Sequence, residues 1–549
     1  MRNYDRVHPR KPRGIDERKA YIVGGGIAGL SAAAFLVRDA QMPGESITVY
    51  DQLPVFGGSM DTAGQAATGY VSRGERELEP YMECLWEQGF RPHDESTMGV
   101  TPEIQEQMIK MMLTPEDQLE DVTIEQWFSP AFFQSQLWYY WSAMLAFQPY
   151  YSPIEMQRYA VRFMHQLHLI KSLRGILRTK YNQYNSLIHP LEKYLADHGV
   201  HFVAASTVTD MDIKIEGSDK TVTALHIGEG SDKKIVPIAE KDLVFFTNGS
   251  MTQNSTQGSM TKAPVMNRDT VHKGCFSLWE KLAAKCPEYG HPEKFAFAPD
   301  KSNFVSCSVT VRDYPQFFDY LAEKTGNPTG KGGCSTFVDA PWFINYNVPL
   351  QPVAPDQPEN VQFMWFYGLH ANNCGSYVKK PMTQCSGEEI MREFLFYCGL
   401  EDKIDEIMPH ITTIPVVMPY ITSQFMPRKL ADRPEVIPAG NKNLAFIGQF
   451  VELEGDVVFT VETSVRTAMI AVYRMLHLDR PITPLFQGQY DIRMVNVALK
   501  TLLGKDKIEV SDLPKINPLK LPQAMHQLVD AINEIPPVPE YYAERKENQ

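Results

Sequence analysis

Two groups of residues in this chain have types and spacings that could do chemistry. In the run AYIVGGGIAGLSAAAFL, Gly24, Gly26 and Gly29 stand as G-x-G-x-x-G. The first glycine permits a tight turn, the second lets backbone approach a pyrophosphate, and the third lets a helix pack closely on a strand. Asp51 closes the next apolar run, ITVYD, about twenty residues on, where a carboxylate accepts hydrogen bonds from an adenosine ribose. The second group follows at once: GGSMDTAGQAATGYVSRGERE brings Gly58 and Ser59 into a Gly-rich loop ending in Arg73, Glu75, Arg76 and Glu77. A carboxylate beside a cofactor is a candidate acid or base. The plain alternative is a salt bridge of Glu77 with Arg73 or Arg76. A cofactor site and an acid/base group in one segment point to an enzyme rather than a binding module.

The elements that must position these residues are legible around them. Ala20 to Val23 reads as a buried strand, Ile27 to Val37 as a helix rich in small residues, and Ile47 to Tyr50 as a second strand. The helix N-terminus offers unpaired N–H groups and a positive dipole end to phosphates. This unit alone does not separate FAD from NAD. Two later features favour FAD. After the strand Leu243 to Thr247 comes NGSMT, with Gly249 and Ser250 in an N–H-rich turn; NLAFIGQFVELEGDVVF then places Gly448 at a strand end and Asp456 in a turn before a helix over Val465 to Tyr473. The alternative is one more strand–helix unit of the same sheet. No second G-x-G-x-x-G follows a strand, because Gly330, Gly332 and Gly333 lie in a polar loop, so no nicotinamide site is apparent.

With 549 residues the chain exceeds one ordinary core, and two or three domains are expected. A net charge of −13 argues against nucleic acid as principal partner, since a phosphate backbone calls for a basic surface. The basic N-terminal tail has no apolar stretch behind it and is not a secretory signal. Nor does any run approach the roughly 18 apolar residues that span a bilayer. Eight scattered cysteines with no C-x-x-C pair suit reduced thiols in a cytoplasm and no metal.

The predicted fold is α/β: a Rossmann-like, two-dinucleotide-type FAD-binding domain with a mixed α+β substrate domain and a helical lobe. The cofactor domain is discontinuous, 1–90 with 190–265 and 440–480; Val208, in the segment HGVHFVAASTVTDMDI that returns to it, joins the cofactor candidates. Residues 91–189 form the lobe, with a polar helix at Pro102 to Leu113, an aromatic-rich stretch over 123–147 and helical patterning from Pro153 to Ile176. That stretch either lines a long apolar pocket or is simply core. Residues 266–439 form the substrate domain, with strands at Phe304 to Val311 and Val361 to Tyr367. The tail, 481–549, carries an amphipathic helix at Leu521 to Ile535, which covers a neighbouring domain or rests on a lipid surface.

GGSMD, the RGERE cluster, CLW, YNQY, MPYITSQFMPR, RPEVIP and the run GQF…VFTVETSVRTAM resemble the oleate hydratases, the FAD-binding fatty-acid double-bond hydratases also called myosin-cross-reactive antigens. The resemblance runs from about residue 18 to 480 with order preserved. It implies addition of water across the cis-9 double bond of oleate or related free fatty acids, without net redox. By position, Glu77 matches the acidic residue that orients or deprotonates the water, and Tyr159, in SPIEMQRYAVRF, matches the tyrosine that protonates the alkene. Without the resemblance, Tyr159 is an ordinary amphipathic-helix tyrosine. Glu75 stands where the family has glycine. In INYNVPLQP, Asn345 and Asn347 fall at carboxylate-contact positions, while Pro349 replaces a hydrogen-bonding side chain. A shorter segment after Glu77 favours a monomer over a homodimer. The rivals are an FAD oxidoreductase of amine-oxidase or desaturase type and a non-catalytic lipid-binding flavoprotein.

Overall fold

The computed structural model describes residues 9–74, 98–169, 179–228, 230, 233–270, 272, 274–325, 329–330, 334–485, 488–509 and 529–535. The predicted helix at Leu521 to Ile535 therefore lies largely outside the described residues. The chain divides into two compact bodies. One comprises Met1–Glu87, Leu177–Glu454 and Val458–Thr483; the other comprises Gln88–Ile176, Gly455–Val457 and Pro484–Gln549.

The first body is built on a parallel sheet. β1 (Ala20–Val23) pairs on one side with β2 (Ile47–Tyr50) and on the other with β9 (Leu243–Thr247). β5 (His201–Val203) lies beyond β2, and β16 (Leu444–Ile447) beyond β9. Strands covered on both faces read as continuous apolar runs, which is why AYIV, LVFF and LAFI carry no alternation. The Ile27–Arg38 helix packs against the Val461–Met475 helix. Buried Asp39 ties their ends, accepting from the Tyr473 hydroxyl at 2.7 Å and pairing with Arg480 at 3.1 Å.

A second sheet in this body is antiparallel, in the order β10 (Thr256–Gln257), β15 (Ile411–Met418), β11 (Phe304–Arg312), β14 (Val361–Gly368), β13 (Ile344–Asn347), β12 (Ser335–Phe337). One face packs Val305, Cys307, Val309, Met364 and Phe366 against the Gln316–Thr325 and Gly387–Tyr397 helices. The other face carries Ser306, Ser308 and Thr310, all fully buried. The hairpin of β3 (Thr62–Gln65) and β4 (Gly69–Ser72) docks there: the Tyr70 and Ser72 N–H groups donate to the Thr310 and Ser308 hydroxyls at 3.0 and 2.9 Å. β6 (Val208–Glu216), β7 (Asp219–Ile227) and β8 (Lys234–Pro237) form a separate three-stranded sheet.

The second body is helical. Thr101 caps the Pro102–Leu113 helix by accepting from the Ile104 N–H, with proline at its first position. The aromatic stretch packs on itself. Phe128 and Phe132 stack with centroids 4.0 Å apart, and Trp138 leans on Phe132 at 5.4 Å. Of the helical patterning expected from Pro153 to Ile176, the α-helix runs to Arg162, where Phe163 leaves the helical ψ, Met164–Leu169 continues as a 3-10 turn, and 170–176 lie outside the described residues.

Candidate functional site

The glycine loop builds the first part of the site. Gly26 caps the Ile27–Arg38 helix without any side-chain hydrogen bond, so its first-turn N–H groups are left to a ligand. Its neighbouring glycines have no room for a side chain. A Cβ on Gly24 would stand 2.9 Å from the Thr247 side chain, one on Gly25 2.2 Å from the Phe56 ring, and one on Gly29 2.0 Å from the Gly24 carbonyl oxygen. A Cβ on Gly26 would meet nothing nearer than the Gly58 Cα, at 3.6 Å. The open side over Gly26 is where backbone can approach a pyrophosphate. Thr247, beside Gly24, holds a buried hydroxyl with no partner in the protein.

Asp51 is buried and doubly anchored: one carboxylate oxygen accepts from the Gly25 N–H at 2.7 Å and the other from Leu53 at 2.8 Å. Burial raises its carboxyl above the ordinary range, against the lowering influence of those N–H groups and of Arg73. Arg73 is held close by. Its guanidinium donates to Asp61 at 2.8 Å and to the Gly58 carbonyl at 2.5 Å, while Gly57 bonds to the Gly25 carbonyl at 2.9 Å. Gly24, Gly26, Gly29, Asp51, Gly58 and Arg73 thus form one connected cradle, with Ser59 in the same Gly58–Met60 turn. A dinucleotide fits these residues.

The remaining candidates fall around and beyond it. Val208 is buried at the head of β6, two residues after Ser206 bonds to the Asp51 carbonyl. Gly249 adopts φ 96°, where a Cβ would press on Phe450 at 2.7 Å, and the Ser250 hydroxyl meets Thr252 at 3.2 Å. Gly448 ends β16 and bonds to the Thr467 hydroxyl at 2.9 Å. Asp456 and Tyr159 belong to the second body. Asp456 is buried and accepts from the Val457 N–H; Tyr159 is fully buried, its ring 5.4 Å from Phe147 and 5.7 Å from Phe163. Glu75 and Glu77 lie outside the described residues.

Asn345 and Asn347 are both buried on β13. The Asn345 amide donates to the Thr336 hydroxyl at 2.8 Å. Pro349 follows and, with Leu350, Val353 and Phe363, forms the apolar wall of a pocket whose polar lining includes Thr62, Tyr70 and Lys180. The Gln351–Pro352 peptide is cis. Sequence reasoning missed Asp61, Thr247 and the hydroxyls of β11. The signal for the last was present in FVSCSVTVR, where polar residues alternate with apolar ones at the strand period. Among the described residues there is no His, Cys, Asp or Glu cluster suited to a metal, and no helix long and apolar enough to cross a membrane.

Fold and cradle together define a Rossmann-type protein of the amine-oxidase architecture. The chain superposes on cyclohexylamine oxidase from Brevibacterium oxydans IH-35A with a TM-score of 0.50 at 12% identity, covering 84% of this chain and 99% of that one. A putrescine oxidase variant gives the same TM-score, identity and coverages. At such identities the likeness is one of fold. Sequence is more specific: the MCRA family model matches residues 17–89 and 87–473. The chain belongs to that family, the myosin-cross-reactive antigens that include the oleate hydratases. It is 38% identical to the oleate hydratase of Streptococcus pyogenes serotype M49 (strain NZ131), over 92% of this chain and 93% of that protein. It is also 28% identical to a linoleate hydratase of Lactiplantibacillus plantarum, over 83% of this chain and 93% of that protein.

Proposed function

We propose that this protein is a fatty-acid hydratase, adding water across the cis-9 double bond of oleate and related unsaturated free fatty acids to give 10-hydroxy acids. FAD is its cofactor, held by Gly24, Gly26, Gly29, Asp51, Gly58 and Arg73, with Gly249, Ser250 and Gly448 closing over it. The near full-length likeness to a protein named oleate hydratase carries this reading. The open side of the cradle over Gly26 supports the cofactor. When bound and reduced, the flavin would supply an electron-rich ring that steadies developing positive charge, or would simply hold Glu77 in place, and it is not consumed.

Tyr159 is the proton donor in this reading and Glu77 orients or deprotonates the water. A phenol, with a pKa of about 10, is a weak acid for an alkene, so protonation and water attack are nearly concerted and avoid a free secondary cation. Fixed placement and exclusion of bulk water supply most of the acceleration. Burial of Tyr159 among Phe147 and Phe163 suits a donor that must not lose its proton to solvent. Asn345 and Asn347 receive the carboxylate. In this reading the protein acts in the cytoplasm, with peripheral contact to a membrane.

The alternative, an FAD-dependent oxidoreductase of the amine-oxidase or desaturase type, shares this fold and gains nothing further from it. Anaerobic incubation with oleate in ¹⁸O-labelled water decides between them. A hydratase gives a labelled 10-hydroxy acid without an oxidant. Turnover only after oxygen is admitted, with no label from water, sinks the proposal.

A further inference from the structure

Three hydroxyls stand in a row along one face of β11, and two of them have backbone partners. The Thr310 hydroxyl accepts from the Tyr70 N–H and the Ser308 hydroxyl from the Ser72 N–H. The third, on Ser306, is fully buried and bonds to no group of the protein. As the hairpin strand advances by two residues, its partner on β11 steps back by two. Carried one step on, that register sets Ser306 level with Gly74, which is buried and whose carbonyl accepts from the Ser72 hydroxyl at 2.9 Å. In the sequence Gly74 precedes Glu77 by three residues.

The surroundings of Ser306 are apolar but for one group. It lies between Tyr367 on β14 and Val416 on β15. The Tyr367 ring stands 4.8 Å from Phe304 and 5.3 Å from Trp365. Trp365 pairs with Ser308, so it is a diagonal neighbour of Ser306 on the same face, within reach of a long side chain. Its indole N–H is also buried and has no partner in the protein. Buried polar groups are nearly always paired, and where protein supplies no partner the usual one is water. An indole N–H only donates, whereas a hydroxyl both donates and accepts. A water that accepts from Trp365 and donates to Ser306 keeps one lone pair and one proton of its own.

We propose that the Ser306 hydroxyl, with the Trp365 indole N–H, holds the water molecule that is added to the double bond. The inference rests on the hydratase reading and deepens it, giving the water a seat of its own. The remaining lone pair forms the new C–O bond and the remaining proton leaves to the base of that reading. Ser306 and Trp365 neither gain nor lose a proton.

Two measurements on the FAD-loaded full chain test it: single-turnover hydration of oleate in ¹⁸O-labelled water, and equilibrium dialysis of oleate. In Ser306→Ala the hydration rate falls about tenfold or more, as loss of fixed placement requires, while the oleate dissociation constant stays within about twofold. Trp365→Phe slows hydration likewise, and the double variant stays within about twofold of the slower single one, because both groups hold one molecule. An unchanged rate in Ser306→Ala overturns the proposal. A rate loss matched by equal loss of oleate affinity does so too, since it makes Ser306 a packing residue. Additive losses in the double variant overturn the shared water. Should Ser306→Ala not fold, Trp365→Phe alone decides by the same two readouts. A parent chain that makes no hydroxy acid defeats the hydratase reading, and the water site falls with it; an active parent with an unimpaired Ser306→Ala defeats the water site alone.

Discussion

Ser72 and Ser308, 236 residues apart, exchange two hydrogen bonds: the Ser72 N–H donates to the Ser308 hydroxyl at 2.9 Å, and that hydroxyl faces the Ser72 carbonyl at 3.3 Å. With Tyr70 on Thr310, this fixes the hairpin end from which Arg73 reaches the cradle. Removing either hydroxyl strands a buried backbone donor, which costs about 1–3 kcal/mol. Ser308→Ala and Thr310→Val should each lower the thermal midpoint accordingly. Ser306→Ala should not, since the Ser306 hydroxyl is buried without a partner and its loss relieves a polar group. Differential scanning calorimetry of the three variants checks the order, and an equal loss in Ser306→Ala would refute the assigned roles.

With Asp51 at the ribose, as proposed, cofactor affinity should depend on pH. Burial holds its carboxyl above the usual carboxylate value of about 3.9. A carboxyl raised on folding favours the folded chain at pH below the unfolded value and loses that contribution as pH climbs through the folded value. Ribose hydroxyls donating to the carboxylate favour its ionised form, so bound FAD lowers this pKa and binding releases a proton. FAD affinity therefore rises with pH through the window just above the ordinary carboxylate range. Asp51→Asn should flatten that dependence, as measured by flavin fluorescence quenching between pH 4 and 7. An unchanged slope would remove Asp51 from the ribose site.

The cradle strands were readable because each is a short apolar run bounded by glycine or acid: AYIV before Gly24, ITVY before Asp51 and LAFI before Gly448. The helix over Pro102–Leu113 was readable as a polar helical run, and the structure adds the Thr101 cap and first-position proline at its start. Distant partners were not readable. Nothing in VSRGERE announces that Arg73 will lie against Asp61, or that its strand will hang on hydroxyls of residues 308 and 310. The alternation in β11 declared a polar face but not what would cover it. Likewise the aromatics over 123–147 have one composition whether they face a ligand or one another, and here Phe128, Phe132 and Trp138 meet one another.

Thiol chemistry separates the cysteines without touching catalysis. Burial pushes Cys275 and Cys385 up to about 12, and Cys307 is raised well above its usual value. Cys374 is exposed. Since the thiolate is the nucleophile, iodoacetamide at pH 8 should label Cys374 first among the described cysteines, by peptide mapping. Cys374→Ser should keep hydration of oleate within about twofold, because the proposed chemistry calls on no thiol; a loss beyond tenfold, about 1.4 kcal/mol, would place that thiol in the reaction.

The second glycine of the fingerprint offers the cleanest test of the cofactor. Gly26 has φ −76° and ψ −176°, which any residue adopts, and a Cβ there meets only the Gly58 Cα at ordinary contact distance. Gly26→Ala should thus fold, with a thermal midpoint within a few degrees of the parent. The methyl would nevertheless stand on the open side of the cradle, between the helix N-terminus and an approaching pyrophosphate. FAD affinity should fall at least tenfold, about 1.4 kcal/mol. Gly29→Ala is the opposite case, because its Cβ would lie 2.0 Å from the Gly24 carbonyl oxygen and 3.0 Å from Ile22. That substitution must push helix from strand, so it should lose stability with or without FAD. Equilibrium titration with FAD and thermal melts of both apo proteins distinguish the two effects. Full FAD affinity in a folded Gly26→Ala protein would mean that no pyrophosphate crosses this glycine, and the cradle would have to be assigned to some other ligand.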